Sequence, residues 1–320
     1  MNRSIHRWGG STLVAVWIIG SGILHAQERP EITVAQVDQW MQELSNWGRW
    51  GPDDQLGTIN LITAAKRREA LALATTGDVV SLSLPIDVVS PPDDPDSTAA
   101  FTSLRVSNIP SGFLMERQQV AFHGSTVSHL DALCHAHYQG KIYNGLSLDD
   151  VFDENGCARM GIGGLAGGVV TRGVLLDIPR LKGLDALETG THVYPEDIEA
   201  WERRTGITIS AGDAIFLRTG RWKNGNRSGY DITVAPWLKQ RDVALVGSDG
   251  TQDVGQIPGT VLPFHKLVLV ALGANIFDNM DLEALSETAA RLNRWEFLLI
   301  AAPIPNPGGT GSPLNPLAIF

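Results

Sequence analysis

The chain has 320 residues, 43% of them hydrophobic and 19% charged, enough apolar material for a sizeable core in one large domain or two modest ones. Its formal net charge of −10 excludes a nucleic-acid-binding surface, because phosphate needs a basic face. No run of like charges marks a tail, and no internal repeat is visible.

Residues 1–26 read as a secretory signal peptide. MNRSIHRWGG carries Arg3 and Arg7 and no acid, STLVAVWIIGSGIL is apolar, and HAQERP turns polar, with Ala26 as the cleavage point. The apolar run, about 14 residues, is short for a hydrocarbon core of ~30 Å. The expectation is a periplasmic or secreted domain over residues 27–320, with no stable membrane insertion after cleavage.

VAQVDQWMQELSN, residues 34–46, has apolar positions at helical spacing. A loop follows from Asn46 to Thr63, NWGRWGPDDQLGTINLIT, where Trp47 and Trp50 either wall a pocket for an aromatic or cyclic substrate or pack the loop onto the core. Thr63 is positioned to cap a helix that ends at Gly77, and GDVVSLSLPID alternates like a strand. Ser90 to Ser97, SPPDDPDS, is too polar and rigid to pack.

The next stretch, His123 to Gly145, reads HGSTVSHLDALCHAHYQGKIYNG. Its first fifteen residues hold four of the chain's eight histidines together with Asp131. On a strand, His129 and Asp131 project to the same side. Neutral imidazole and carboxylate are ligands for zinc, manganese or iron. If the chain turns helical near Ala132, His135 sits one turn in, free to move protons with a reference pKa of ~6.5. His137 reads either as a support behind the ligands or as structural. Phe122, Tyr138 and Tyr143 flank the cluster. Cys134 and Cys157 read first as two small buried thiols; the alternative is a disulfide between them in an oxidising compartment, whose geometry sequence does not establish.

Beyond the cluster, GIGGLAGG lacks the context of a dinucleotide-binding turn and reads as a loop. Strands are predicted over Val174–Ile178, Ala214–Arg218 and Val243–Val246, and a helix over Tyr194–Thr205. Ser248 and Asp249 end a strand, as part of a site or as a simple turn. PFHKLVLVALGANIFDNMDLEAL predicts a helix running into a strand, with Gly273 as the break, and PIPNPGGTGSPLNP predicts a loop. Interleaved strands and helices give an α/β or α+β class, and no linker forces a domain boundary.

SHLDALCH resembles the HxxGTHxDxPxH motif of the cyclase family that includes bacterial kynurenine formamidase and isatin hydrolase. NWGRWGPDDQLGTINLIT, AGDAIFLRTGRW and PFHKLVLVALGANIFDNMDLEAL resemble further family segments in the same order, from about Asn46 to the C-terminus. The resemblance implies an α/β, single-domain swivelling β/β/α fold with a mixed sheet, and a homodimer or higher homo-oligomer. It also implies a divalent zinc or manganese ion and a small-molecule substrate whose amide, lactam or ester bond is hydrolysed by metal-activated water. His129 and Asp131 match the metal-binding pair, His135 the acid/base, and His265 and Asp278 the later ligands, Asp278 standing where the formamidases have Glu.

Two departures stand out. Ser125 occupies the position of the family's first histidine, which His123 fills if the loop is longer. Leu133 stands where the formamidases have Pro. The alternatives are a cyclase, dehydratase or lyase using the same groups, or a non-catalytic small-molecule-binding protein with a degraded site.

Overall fold

The computed structural model describes residues 31–86 and 101–320, together with Met1 and Arg29. The signal segment apart from Met1, and the Ser90–Ser97 loop, lie outside the described residues. The compact unit spans Ile32–Phe320. Among the described residues, no helix is long and apolar enough to cross a membrane.

In chain order the strands are β1 (Val79–Ser81), β2 (Phe101–Ile109), β3 (Phe113–Ala121), β4 (His129–Asp131), β5 (Phe152–Asp153), β6 (Gly156–Cys157), β7 (Val169–Asp177) and β8 (His192–Val193). They continue with β9 (Ala214–Arg218), β10 (Gly229–Tyr230), β11 (Leu245–Ser248), β12 (Asn275–Asp278), β13 (Glu296–Ala301), β14 (Gly311–Pro313) and β15 (Leu317–Ile319). Nine of them form one mixed sheet, ordered β1-β15-β13-β7-β9-β11-β12-β4-β14. Its centre, β7-β9-β11-β12, is parallel, and both flanks are antiparallel. All five residues of β9 are buried, which is why the central strands read as unbroken apolar runs rather than as alternation.

Local signals place the helices. Thr33 and Thr63 accept hydrogen bonds from the amides of Gln36 and Lys66, capping helices Val34–Glu43 and Ala64–Leu71. The second ends well before Gly77. The amides of Thr76 and Gly77 instead donate to the carbonyl of the terminal Phe320, so the last turns give way to a tertiary clasp. The predicted Tyr194–Thr205 helix forms over Pro195–Thr205, with Pro at its first turn, and ends on left-handed Gly206. Helix Pro263–Lys266 continues as a π-helical segment, Leu267–Leu272, and stops at Gly273, whose φ is +67°. A Cβ on Gly273 would strike the Tyr143 ring, so this break needs glycine on two counts.

Three expectations are corrected. The tail is not all loop: β14 pairs with β4 and β15 with β13, because these short segments complete the ladders of buried neighbours. The third strand falls at Leu245–Ser248 rather than Val243–Val246, since its pairing with β9 and β12 sets the register. Cys134 and Cys157 are not free thiols: they form a disulfide with a Cα–Cα distance of 6.6 Å. The β5–β6 turn brings Cys157 back against the Leu133–His135 turn, where the Cys134 amide donates to the carbonyl of Met160.

That bridge closes a 23-residue separation, for which chain entropy gives about 3 kcal/mol. The Cys134→Ser, Cys157→Ser double variant is therefore expected to melt roughly 5–10 °C below the wild type. Calorimetry under non-reducing conditions checks this, and an unchanged Tm would contradict it.

Candidate active site

The site begins on β4, a three-residue strand held on both sides. His129 pairs with Asp278 of β12 on one side and Pro313 of β14 on the other, while Asp131 pairs with Ile276 and Gly311. Alternation sends Leu130 to the opposite face, where it is buried, and leaves His129 and Asp131 on one face. Side chains directly opposite in an antiparallel pair share a face, so Asp278 joins His129.

His123 comes from the loop after β3. Its Nε2 meets the Thr310 hydroxyl at 2.9 Å, which aims Nδ1 at Asp131 Oδ1, 3.3 Å away. His129 is set by its own backbone: Nδ1 bonds the Val127 carbonyl at 2.7 Å, and Nε2 faces Asp131 Oδ1 at 3.5 Å. His265 is set by Asp253, which accepts from the amides of Phe264 and His265 and from His265 Nδ1. Its Nε2 then stands 3.2 Å from Asp278 Oδ2 and 4.0 Å from Asp131 Oδ2. In each case a fixed partner on one ring nitrogen leaves the other free to face the carboxylates.

Ligand atoms of His123, His129 and Asp131 lie within 4.8 Å of one another, and so do those of Asp131, His265 and Asp278. Asp131 belongs to both groups. It is 1% exposed, yet neither of its carboxylate oxygens has a hydrogen-bond donor, and His123 Nδ1 also lacks a partner. A buried carboxylate without donors is costly unless a cation balances it. Burial alone raises the Asp131 pKa, but His135, His123 and His129 outweigh it and hold the group well below the usual carboxylate range. Burial lowers the His265 pKa, but Asp278 and Asp253 more than reverse this and raise it well above an ordinary imidazole.

His135 ends the short turn Leu133–His135, and its ring stacks on His123 with centroids 4.0 Å apart. Its Nε2 lies 4.0 Å from Asp131 Oδ1. Burial, the leading cause, lowers its pKa despite the pull of Asp131, which favours a neutral ring able to accept a proton. A pocket of about 240 Å³ opens beside it, lined by Ala136, His137, Val261, Leu262, His265 and Lys266 as well as His135.

The remaining candidates divide. Phe122 is at the site, its ring centroid 4.4 Å from that of His123. Trp47 and Trp50 are not brought to the His135 pocket. The Trp47 indole donates to the Val270 carbonyl at 2.7 Å and lines a separate cleft with Met41, Gln42 and Tyr138, while Trp50 carries the guanidinium of Arg49. Tyr138 and Tyr143 donate to Asp38 and Asp54, away from the cluster. Ser125 is exposed, whereas His123 is half-buried and belongs to a ligand group. Asp249 is fully buried and accepts from the Thr219 hydroxyl and from the amides of Thr219, Gly220 and Arg221, a structural tie.

Sequence reading missed Asp253, Gln252 and Thr310. Asp253 orients His265 from twelve residues upstream, a spacing with no periodic signature. Gln252 donates to Asp278 Oδ1 at 3.0 Å from a fully buried position with φ +27°. Thr310 sat in a segment read as loop.

The Cyclase family model matches residues 80–252, over half of the chain. A solved structure described as a novel cyclase is 29% identical and superposes with a TM-score of 0.78, covering 88% of this chain and 99% of its own. Isatin hydrolase A from Labrenzia aggregata is 21% identical with a TM-score of 0.54, covering 75% of this chain and 93% of its own. Isatin hydrolase A from Ralstonia solanacearum gives the same identity and TM-score, covering 80% and 97%. No curated protein matches significantly. With a mixed sheet shared with these structures and a family match over most of its middle, the chain belongs to the cyclase family.

Proposed function

We propose that the protein is a metal-dependent hydrolase of an amide, lactam or ester bond in a small cyclic or acylated molecule. The observation that carries this reading is Asp131: a buried carboxylate with no protein donor, faced by ring nitrogens of His123, His129 and His265. His123, His129, Asp131, His265 and Asp278 would hold the cation, and this oxygen and nitrogen set suits zinc or manganese. Two three-residue groups sharing Asp131 leave room for one ion or two. Bound there, a divalent cation acts as a Lewis acid, polarising a carbonyl and acidifying water.

The chain's own residues do the rest. His135 sits over the ligand cluster with a ring that burial keeps neutral, so it accepts the proton of the attacking water and returns it to the leaving nitrogen or oxygen. Asp253 and Gln252 hold His265 and Asp278 in place. Phe122 and the apolar Val261 and Leu262 offer surface for a ring or acyl group. Isatin hydrolases with this fold act on a cyclic lactam by their name, which makes lactams a first choice of substrate.

The test is a screen of formamides, lactams and lactones with zinc- or manganese-loaded protein, read by mass spectrometry. A gain of one water supports the hydrolase, and a loss of one water would assign a cyclase or dehydratase instead.

We further propose export and self-association. The signal-like N-terminus and the Cys134–Cys157 disulfide support an oxidising, periplasmic or secreted location. The β2–β3 hairpin supports a homodimer: Leu104, Val106 and Leu114 share one exposed face, and a two-stranded ribbon is barely stable alone.

A further inference from the structure

We propose that Arg221 is the anion-recognising residue of this site, taking the carboxylate that hydrolysis generates or that a substrate already carries. The assignment rests on the hydrolase reading for its chemistry and on a separate set of observations for its place.

Arg221 opens a short helix, Arg221–Asn224, directly after β9. Its backbone amide donates to the buried Asp249, and the next residue, Trp222, donates its indole N–H to the Met280 carbonyl at 2.8 Å. These two ties press the turn against residues 278–280, the segment that carries Asp278. The side chain lies along Gly250: a Cβ there would be 3.4 Å from Arg221 Nη1 and 3.5 Å from its Cδ. Gly250 in turn accepts the amide of Asn279, the neighbour of Asp278, at 3.1 Å. The guanidinium therefore lies beside Gly250, near enough to Asp278 to feel its charge.

The guanidinium is also unspent. Arg49, Arg172, Arg218 and Arg241, all partly or fully buried, are each held by a carboxylate. Arg221 is half-buried, yet its side chain makes no hydrogen bond or ion pair among the described residues and only rests over the Trp222 ring, 5.3 Å from the centroid. Burial lowers its pKa, with Arg227 adding to this, and the pull of Asp249 and Asp278 does not restore it. A guanidinium with five donors, partly desolvated and lacking a partner, is built for bidentate capture of a carboxylate. Hydrolysis of an amide, lactam or ester leaves a carboxylic acid that is ionised at neutral pH, so every turnover presents such a group.

The probe is benzoate, with neutral benzamide as its uncharged counterpart, titrated calorimetrically into metal-loaded wild type, Arg221→Gln, Arg221→Lys and Lys266→Gln. Lys266 is the competing cation, on the pocket wall beside His135. The expected result is a benzoate Kd raised about tenfold or more in Arg221→Gln, the loss expected for a charge-assisted hydrogen bond. Arg221→Lys should recover part of it. Benzamide binding, metal content and Tm should stay at wild-type values, and Lys266→Gln should bind benzoate as the wild type does. Benzoate binding that is absent from the wild type, unchanged in Arg221→Gln, or lost only in Lys266→Gln overturns the assignment. Wild type that binds benzoate through Arg221 but hydrolyses nothing in the substrate screen keeps the assignment and sinks the hydrolase reading. An active hydrolase indifferent to Arg221→Gln does the reverse.

Discussion

Chelation of the wild type is expected to lower its Tm by roughly 10 °C, and the same treatment of Asp131→Ala is expected to change nothing. Asp131 is the only residue shared by the two ligand groups, and both of its oxygens are buried without donors. Removing a cation leaves that carboxylate uncompensated, facing Asp278 across His265. A ligand present at about a thousand times its Kd stabilises the folded state by about 4 kcal/mol, and for a domain of this size each kcal/mol moves Tm by roughly 2–4 °C. The variant has neither the charge nor the site. Differential scanning calorimetry with and without EDTA reads both effects. A wild type indifferent to EDTA would count against the site.

His135→Ala should behave oppositely. Metal content and Tm should stay near wild type, while kcat falls by about 10²–10⁴-fold, the usual contribution of a positioned acid or base. His135 stacks flat on His123 and reaches Asp131 only at 4.0 Å, the outer limit of an ion pair and too long for a hydrogen bond, and it belongs to neither ligand group. Its short turn is pinned by the Cys134–Cys157 bridge, so the ring is placed by the fold rather than by a cation. Steady-state kinetics on a substrate found in the screen, with metal analysis of the same sample, separates the two roles. Loss of metal in His135→Ala would make it a ligand, and retained turnover would remove it from the chemistry.

The part of the site that was legible in the sequence is the part governed by short-range periodicity. His129 and Asp131 share a face because a strand repeats every two residues, and His135 follows on the next turn. The central strands were readable because parallel neighbours bury both faces, and the Pro195–Thr205 helix because Pro and Gly mark its ends. What was not legible depends on distant chain segments. The loop from His123 to Val127 carries its histidine two residues beyond the family spacing, and only the Thr310 bond, across 187 residues, shows where that ring points. β14 contains Gly and Pro and looks like loop by composition, yet it completes the β4 ladder. The β2–β3 hairpin places Arg105 opposite Arg117 and Val106 opposite Glu116, so neither face alternates cleanly enough to announce a strand. The disulfide depended on the β5–β6 turn, which the local sequence does not fix.

The central claim is that this fold holds a divalent cation through Asp131. Its most direct test is elemental mass spectrometry on the protein purified without chelator or immobilised nickel, wild type beside Asp131→Ala. One or two equivalents of zinc or manganese are expected in the wild type and none in the variant. Wild-type protein that carries no metal and takes up neither zinc nor manganese when they are added would contradict it.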